Sequence, residues 1–523
     1  MIKLDGVSYR FGDGSIALDN INLEIGEGEK VALVGGNGSG KTTLTLLLNG
    51  LLKPATGTIR VCNLSPSFEK EAAELKQKVG IVFQNPDNQL VSTTVEREIA
   101  FSLENRNLSW AEMNSRVNQA LEQFHLGEMR GRLTSDLSGG EKQKLALASV
   151  MASKPEVLIL DEPDSFLDEA GKQLLELAIK MLTAESESLT LIQVTQYSSA
   201  AVKYPRIIAL HKGKIIGDGP PEELYLDSRK LYSSGIDVPL EYRLKTGTEF
   251  DIVIPESKRY QGHKLPKIEL RNVSFSFDKR RDTFGFENLN LRLEANKVYG
   301  LVGPSGSGKS TLMQLCTGLI KPTGGSIEFG TNKIPRGALG AVFQQPERQF
   351  FLETVDRELR FGLTNIGAEG IDDKVALTYK KIDLPQEEFA ERDPQTLSGG
   401  EKRRLAFGTI ISMLPDFLFF DEPTCGLDAV GIAYLKFIVR DLAQSGTGVV
   451  IISHNGDIIY SLADTVIELR NGNIAAMLDR EEYFDSADYE SFLSKPELIS
   501  YQERRFGKMR HRTFADLRNS CGF

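Results

Sequence analysis

Short apolar runs separated by longer polar stretches organise the first half of the chain. A β-rich start covers residues 2–11, and an apolar run at residues 30–34 leads into a glycine-rich loop and a helix-like segment. Polar residues 109–126 form a helical stretch, and the apolar run at residues 157–162 ends in two acids. Such apolar strands are typical of parallel sheets that are buried on both faces. The alternation predicts an α/β domain with a largely parallel sheet.

The second half of the chain repeats this organisation. Three motifs recur 260 residues further on, namely FQ at residues 83–84, LSGGEK at residues 137–142 and DEP at residues 161–163. A period of this length is a whole domain rather than a solenoid repeat, so we interpret the chain as a duplication followed by fusion. The predicted organisation is a first domain at residues 1–235, a linker at 236–265, a second domain at 266–480 and a tail at 481–523.

Composition narrows the class of protein. Of the 523 residues, 41% are hydrophobic and 26% are charged, as in an ordinary globular protein. A net charge of −10 argues against nucleic acid as a partner. The four cysteines form no CxxC pair, which fits a reducing compartment. No secretory signal is evident, and every apolar run is far shorter than the ~20 residues needed to cross a bilayer, so we expect membrane association through partners only.

Two glycine-rich loops match the pattern GxxxxGK[ST] directly after an apolar strand. They are GGNGSGKT at residues 35–42 and GPSGSGKS at residues 303–310. Glycines let successive backbone N–H groups face a phosphate, and the following helix directs its positive end there. The lysines would reach the β- and γ-phosphates of ATP. A single match could be a glycine-rich turn or a dinucleotide fingerprint, but two matches in strand context favour phosphate binding. The candidate ATP-binding residues are Gly35, Asn37, Gly38, Gly40, Lys41, Thr42, Thr43, Gly303, Ser305, Gly306, Gly308, Lys309, Ser310 and Thr311.

Two further apolar strands end in an acid pair. LILDE ends at Glu162 and LFFDE ends at Glu422. Asp161 and Asp421 are candidate Mg²⁺ ligands together with the loop hydroxyls of Thr42 and Ser310, since Mg²⁺ prefers oxygen ligands. Glu162 and Glu422 are candidate bases that polarise the attacking water. One such strand could merely end in solvated acids, but two at matching places favour the catalytic interpretation.

The motif LSGGE, at residues 137–141 and 397–401, separates this chain from other P-loop proteins. By itself it would be a good helix start, with serine as N-cap. Together with the loops and acids it makes both halves resemble ATP-binding cassette (ABC) domains. The resemblance implies two tandem P-loop domains, each with a mixed sheet, a β-rich subdomain and a helical subdomain, that sandwich two ATP molecules head to tail. Each signature would contact the γ-phosphate held by the opposite domain, through Ser138, Gly139, Gly140, Ser398, Gly399 and Gly400.

The same resemblance assigns further roles. Phe11 and Phe277 would stack on adenine, although core packing is the commoner explanation for a phenylalanine after a strand. Gln84 and Gln344 occupy the position of the Q-loop glutamine, which touches Mg²⁺ or water, and whose loop faces the membrane partner.

Two sequence segments are similar to those of the ATPases of energy-coupling factor (ECF) transporters. They are VFQNPDNQ at residues 82–89, around the first Q-loop glutamine, and LNGLLKP at residues 48–54. QQPERQ at residues 344–349 is a looser match. This resemblance implies an importer of a vitamin, a vitamin precursor or a metal ion. The chain would lie at the cytoplasmic face of the cell membrane, with a transmembrane coupling (T) protein and a substrate-binding (S) protein as partners. The cargo is set by those partners, so this chain does not reveal it.

The two copies differ where the family has its switch histidine. VVIISH supplies His454 in the second copy, whereas the first copy has LIQVTQ and therefore Gln196. Glutamine can donate a hydrogen bond to a phosphate but cannot carry charge or shuttle a proton. We therefore predict that the Lys309–Glu422–His454 site, closed by Ser138 and Gly140, hydrolyses ATP. The Lys41–Glu162–Gln196 site, closed by Ser398 and Gly400, would turn over slowly. The alternative is that both sites work, because Glu162 is intact.

A soluble twin-cassette ATPase acting on ribosomes is a competing interpretation. Such proteins usually join their cassettes by a long, charged helix. Here Pro255, Gly262 and Pro266 oppose a long helix in the linker. The acidic charge also favours the transporter interpretation.

Overall fold

The computed structural model describes residues 2–12, 14–104, 106, 108–164, 167, 169–185, 187–249, 266–276, 285–330, 334–343, 349–486, 489–490, 492–507 and 514–521. Contacts divide the chain into two compact units. The first consists mainly of residues up to 249, and the second mainly of later residues. Among the described residues, no helix has both the length and the apolar character needed to cross a membrane.

Two sheets form the strand framework of the first unit. A three-stranded antiparallel sheet has the order β2-β1-β4, and a six-stranded sheet has the order β5-β6-β7-β3-β8-β9. The strands are β1 Ile2–Arg10, β2 Ile16–Ile25, β3 Lys30–Gly35, β4 Thr56–Val61, β5 Val79–Val82, β6 Val157–Asp161, β7 Thr190–Val194, β8 Arg206–His211 and β9 Lys214–Gly219. All pairs of the larger sheet are parallel except β8 with β9. Every residue of β6 and β7 is buried, as the uninterrupted apolar runs predict.

Helices cover the larger sheet and form a separate helical part in the first unit. They are α1 Lys41–Leu48, α2 Glu69–Lys78, α3 Val95–Glu104, α4 Trp110–Gln123, α5 Gly139–Ala152, α6 Glu169–Glu185, α7 Ser198–Ala201, α8 Pro221–Leu224, α9 Ser228–Ser233 and α10 Leu240–Thr246. Helices α3, α4 and α5 pack on one another. Helix α10 lies within the stretch interpreted as a linker, and its Leu240 and Leu244 are buried.

The second unit repeats both sheets. The antiparallel sheet has the order β11-β10-β13, and the larger one has the order β14-β15-β16-β12-β17-β18 with only β18 antiparallel. The strands are β10 Lys267–Ser276, β11 Gly285–Glu294, β12 Val298–Val302, β13 Gly324–Phe329, β14 Leu339–Val342, β15 Phe417–Asp421, β16 Gly448–Ile452, β17 Thr465–Arg470 and β18 Asn473–Asp479.

The helices of the second unit follow the same plan and then continue beyond it. They are α11 Lys309–Cys316, α12 Val355–Ile366, α13 Ile371–Lys381, α14 Gln386–Phe389, α15 Gly399–Ile411, α16 Ala429–Gln444, α17 Gly456–Leu462, α18 Arg480–Ser486, α19 Glu497–Phe506 and α20 Phe514–Cys521. Helices α12, α13 and α15 form the helical part. Thus each unit has a mixed sheet, a β-rich part and a helical part, which confirms the predicted fold class.

A shared core joins the two sheets within each unit. In the first unit it includes Leu4 of β1, Leu47 of α1 and Ile159 of β6. The corresponding core of the second unit includes Leu312 of α11 and Phe417 of β15. The apolar face of the antiparallel sheet therefore buries the helix that follows each glycine-rich loop, which fixes where that helix begins.

Candidate nucleotide-binding and hydrolysis sites

The first glycine-rich loop connects β3 to α1, as predicted. Gly40 precedes the helix with a φ of 103°, and a Cβ there would lie 2.6 Å from the carbonyl oxygen of Ala17, so only glycine fits. Lys41 is buried, and its Nζ donates to the carbonyl oxygens of Gly35 at 2.8 Å and Gly36 at 3.1 Å. Burial lowers the pKa of Lys41, an effect opposed by the nearby Glu162 carboxylate. The Lys41 side chain therefore lies along the glycine-rich loop that precedes it.

The second loop has the same geometry between β12 and α11. Gly308 has a φ of 104°. Lys309 is buried, and its Nζ donates to the carbonyl oxygens of Gly303 at 2.8 Å and Pro304 at 2.9 Å.

Both loops fit an anionic phosphate. The N-termini of α1 and α11 have no side-chain cap, so their first amide groups are available to an anion. A Cβ added at Gly38 or Gly306 would meet nothing within 4 Å, which shows open space beside each loop. Among the other predicted residues, Thr43 is buried, whereas Thr42, Ser305 and Ser310 are exposed.

A hydroxyl and a carboxylate from distant motifs meet beside each loop. Ser310 Oγ donates to Asp421 Oδ2 at 2.9 Å, and Thr42 interacts with Asp161 in the first unit. Burial raises the pKa of Asp161 to about 6, with the neighbouring Glu162 adding to the rise and the Thr42 bond opposing it. Burial also raises the pKa of Asp421. These hard oxygen donors fit Mg²⁺, which when bound would neutralise negative charge on phosphate oxygens.

The two candidate bases share an unusual backbone conformation. Glu162 and Glu422 each have a φ of 46°, in the left-handed region that non-glycine residues rarely adopt. The amide of Glu162 donates to the carbonyl of Val194 at 3.1 Å, and that of Glu422 donates to Ile452 at 2.9 Å. The backbone therefore turns sharply at the strand end while still paired to the neighbouring strand. The sequence contained no signal for this turn.

The structure gathers the predicted residues of the first site around Glu162. Gln84 Nε2 donates to Glu162 Oε2 at 2.9 Å, and Gln196 Nε2 donates to Glu162 Oε1 at 2.7 Å. Gln196 Nε2 also lies 3.1 Å from Asn37 Oδ1 in the glycine-rich loop. Lys41 Nζ is 3.9 Å from Glu162 Oε1. Five residues from four separate motifs thus contact one another in one unit.

The second site has a histidine in place of that amide. His454 Nε2 lies 3.5 Å from Glu422 Oε1, and the His454 backbone amide donates to the same oxygen at 3.1 Å. Ser453 Oγ donates to Glu422 Oε2 at 3.3 Å, a contact that the sequence analysis missed. Its signal was the hydroxyl residue before the switch position, since Thr195 precedes Gln196 in the same way. Gln344 lies outside the described residues.

The signature motifs begin α5 and α15 as capping boxes. The Glu141 amide donates to Ser138 Oγ at 3.3 Å, and the Ser138 amide donates to Glu141 Oε2 at 2.7 Å. Ser398 and Glu401 repeat this pair. Within the described part of each unit, no hydrogen bond links the signature serine to the glycine-rich loop of the same unit. Both serines are exposed, and the glycines that start the helices are Gly139, Gly140, Gly399 and Gly400.

The predicted adenine-stacking residues can be placed only in the first unit. Phe11 follows β1 and is 48% exposed, with its ring 5.4 Å from that of Tyr9 in an edge-to-face arrangement. Core packing therefore does not account for Phe11. Phe277 lies outside the described residues.

Comparison with known proteins assigns the family. A model described as ABC transporter matches residues 18–165 and again residues 286–425. A Methanosarcina mazei protein named "Putative ABC transporter ATP-binding protein" is 32% identical over 490 residues, which are 91% of this chain and 94% of that protein. The chain belongs to the ABC transporter family.

Other similar proteins extend this comparison. A Bacillus subtilis protein named "Putative HMP/thiamine import ATP-binding protein YkoD" is 33% identical over 501 residues, 91% of each chain. A solved structure of cbiO1 from Clostridium perfringens, described as part of the ABC transporter complex cbiONQ, is 34% identical with a TM-score of 0.41. It covers 44% of this chain and 94% of the cbiO1 chain.

Family membership settles the general activity. ABC cassettes bind ATP with Mg²⁺ and hydrolyse it, so this protein is an ABC ATPase with two tandem cassettes. Glu162 lies beside the first phosphate loop, with its Oε1 3.9 Å from Lys41 Nζ, and Glu422 is fixed by hydrogen bonds from Ser453 and His454.

Proposed function

We propose that this chain is the energy-coupling ATPase of an ECF-type importer for a vitamin, a vitamin precursor or a metal ion. The observation that carries the proposal is the VFQNPDNQ segment around Gln84, whose amide contacts the candidate base Glu162. A similar protein of nearly the same length is named for HMP/thiamine import, which supports a vitamin-type cargo. The chain would lie at the cytoplasmic face of the membrane, held there by a T protein and an S protein.

We propose two ATP sites, each built from residues of both cassettes. Each glycine-rich loop would hold the phosphates of one ATP, with Mg²⁺ on the adjacent hydroxyl and carboxylate, and the signature helix of the other cassette would complete the site. The loop helices without a side-chain cap and the exposed signature serines support this arrangement, because helix N-termini of both kinds can bind an anion. Phe11 would stack on adenine in the first site.

We further propose that the two sites turn over at different rates. In the first site Glu162 accepts hydrogen bonds from the amides of Gln84 and Gln196, and neither amide can take up a proton. In the second site His454 lies beside Glu422 and can carry charge. The second site would therefore hydrolyse ATP, while the first would bind ATP and turn it over slowly.

Co-purification tests the transporter assignment. The tagged chain should be isolated from host membranes in mild detergent, and its partners identified by mass spectrometry. Two small integral membrane proteins in stoichiometric amounts would support the proposal, and reconstituting them in liposomes should give ATP-dependent uptake of labelled thiamine or its pyrimidine precursor, or of a metal ion. Recovery with ribosomal proteins and no membrane protein would overturn the ECF proposal in favour of the twin-cassette alternative.

A further inference from the structure

The residues that follow β18 also contribute to the core of the second unit. Helix α18 and the residues after it pack into the core that contains β16 and α17. The buried residues they contribute to this core are Tyr483, Phe484, Tyr489, Phe492, Leu493 and Ile499. We call residues 492–497 the return segment, because they bring the chain back to the loop that carries His454.

Three backbone contacts fasten the return segment to the histidine loop. The Ser494 amide donates to the carbonyl of His454 at 3.1 Å, and the Gly456 amide donates to Ser494 Oγ at 2.8 Å. The Glu497 amide donates to Asp457 Oδ1 at 2.7 Å. A Cβ at Gly456 would lie 1.8 Å from the Ser494 carbonyl oxygen, so glycine is required for this close approach.

A fourth contact reaches the imidazole itself. His454 Nδ1 lies 3.0 Å from the carbonyl oxygen of Phe492. A carbonyl oxygen can only accept, so Nδ1 must carry the hydrogen. This holds for both the neutral and the protonated ring, and it leaves Nε2, 3.5 Å from Glu422 Oε1, as the nitrogen that gains or loses a proton. The return segment thus selects the tautomer and the ring orientation of His454.

The Phe492 carbonyl that accepts from His454 is fixed by packing on both sides. Phe492 and Leu493 are 3% and 0% exposed. The Arg470 guanidinium lies over the Phe492 ring, 5.3 Å from its centroid. Buried packing on both sides of the peptide fixes the carbonyl direction, since moving it would require the aromatic ring to leave the core.

Among its described residues, the first unit has the anchor but shows no orienting contact. There Asp237 Oδ2 accepts from the Ser198 amide at 3.1 Å, two residues after the switch position, as Ser494 does for Gly456. The described hydrogen bonds of Gln196 go instead to Glu162 and Asn37. Both units therefore anchor the loop that follows the switch residue. In the second unit a later chain segment also contacts the switch side chain itself, through the Phe492 carbonyl.

We propose that the return segment is a positioning element for ATP hydrolysis, in which the Phe492 carbonyl holds His454 with Nε2 towards Glu422. The inference rests on the proposed function of the Lys309 site. It assigns a role to part of the tail that follows the second cassette.

A double-mutant cycle tests this proposal in the full-length chain. Phe492→Ala keeps the carbonyl but removes the ring that fixes its direction, so it should weaken the orienting hydrogen bond and lower kcat for ATP about 3- to 10-fold, with KM little changed. Phe492→Leu keeps most of the apolar packing volume and should restore most of the rate. Ser494→Ala, which removes only the Gly456 anchor, should lower kcat in the same direction. Ser500→Ala, a hydroxyl deletion in the same tail, should leave kcat unchanged.

The decisive comparison is made in a His454→Ala background. If the return segment acts through the imidazole, Phe492→Ala will add no further loss of kcat there. An equal fold loss in both backgrounds, or a fall in thermal midpoint that accounts for the loss, would show a merely structural role and overturn the inference. If His454→Ala and Glu422→Gln leave the ATPase rate unchanged, the proposed function of the site fails instead.

Discussion

Gln196 donates a hydrogen bond from Nε2 to Oε1 of Glu162 at 2.7 Å, at the position where the second copy has His454. The same amide reaches Asn37 in the glycine-rich loop. An amide in this place can hold the carboxylate and the loop together, but it cannot exchange a proton with either. The two sites therefore share a scaffold and differ in what the switch side chain can do.

Replacing the candidate bases tests that difference. Glu422→Gln should lower the steady-state ATPase rate at least about 100-fold, because a positioned base is lost. Glu162→Gln should lower it less than about fivefold, since that site contributes little turnover under this proposal. Binding of a fluorescent ATP analogue serves as the control and should persist in both variants. Equal losses of rate would contradict unequal sites.

Exchanging the switch residue gives an independent test. His454→Gln makes the second site chemically like the first and should lower kcat about tenfold or more, because the ring that can carry charge is gone. Gln196→Ala, which removes the amide at the equivalent position of the first unit, should alter kcat by less than about twofold. The rates are to be measured in single-turnover as well as steady-state assays. A larger effect of Gln196→Ala would reverse our assignment of the active site.

The signature serines test the head-to-tail arrangement. Each caps its helix, so Ser138→Ala and Ser398→Ala should both cost about 1 kcal/mol of stability. Only Ser138→Ala should strongly lower the ATPase rate, because we propose that Ser138 closes the site of Lys309. Calorimetry and ATPase assays on the same samples separate the two effects. If Ser398→Ala lowered the ATPase rate more, one of two assignments would be wrong. Either each signature completes the site of its own unit, or the site of Lys41 is the faster one.

A buried carboxylate supports the loop after Gln84. Glu98 is 3% exposed, and its Oε2 accepts from the amides of Val91 at 2.9 Å and Ser92 at 2.6 Å. Glu98→Ala should therefore lower the free energy of unfolding by about 1–3 kcal/mol, because two amides lose their acceptor.

Thermal or urea unfolding measures the effect of Glu98→Ala. The control is Glu112→Ala, which breaks an exposed ion pair with Arg116 and should cost less than about 1 kcal/mol. Glu358 repeats the arrangement of Glu98 in the second unit, with the amides of Phe351 and Leu352, so Glu358→Ala should behave like Glu98→Ala. Equal stability of the Glu98→Ala and Glu112→Ala variants would show that the two amides find other partners.

Much of the framework was predictable from local pattern. The strands at residues 30–34 and 298–302 and the acid-ending strands were recognisable because fully buried parallel strands are apolar at every position. The glycine-rich loops were recognisable because only glycine adopts the φ found at Gly40 and Gly308. Helix α10, by contrast, has only seven residues, which is too short for a clear helical period of apolar positions, so the sequence did not indicate a helix there.

The sequence alone indicated the family, the duplication, the candidate residues for phosphate and Mg²⁺, and the exchange of histidine for glutamine at residue 196, since all of these depend on residue type and spacing. Only the tertiary structure decided what each of those residues touches. The left-handed turn at Glu162 and Glu422, and the contact between Phe492 and His454, arise from chain segments that packing brings together. A backbone carbonyl carries no side-chain identity, so no inspection of residue types could have revealed that it orients the switch histidine.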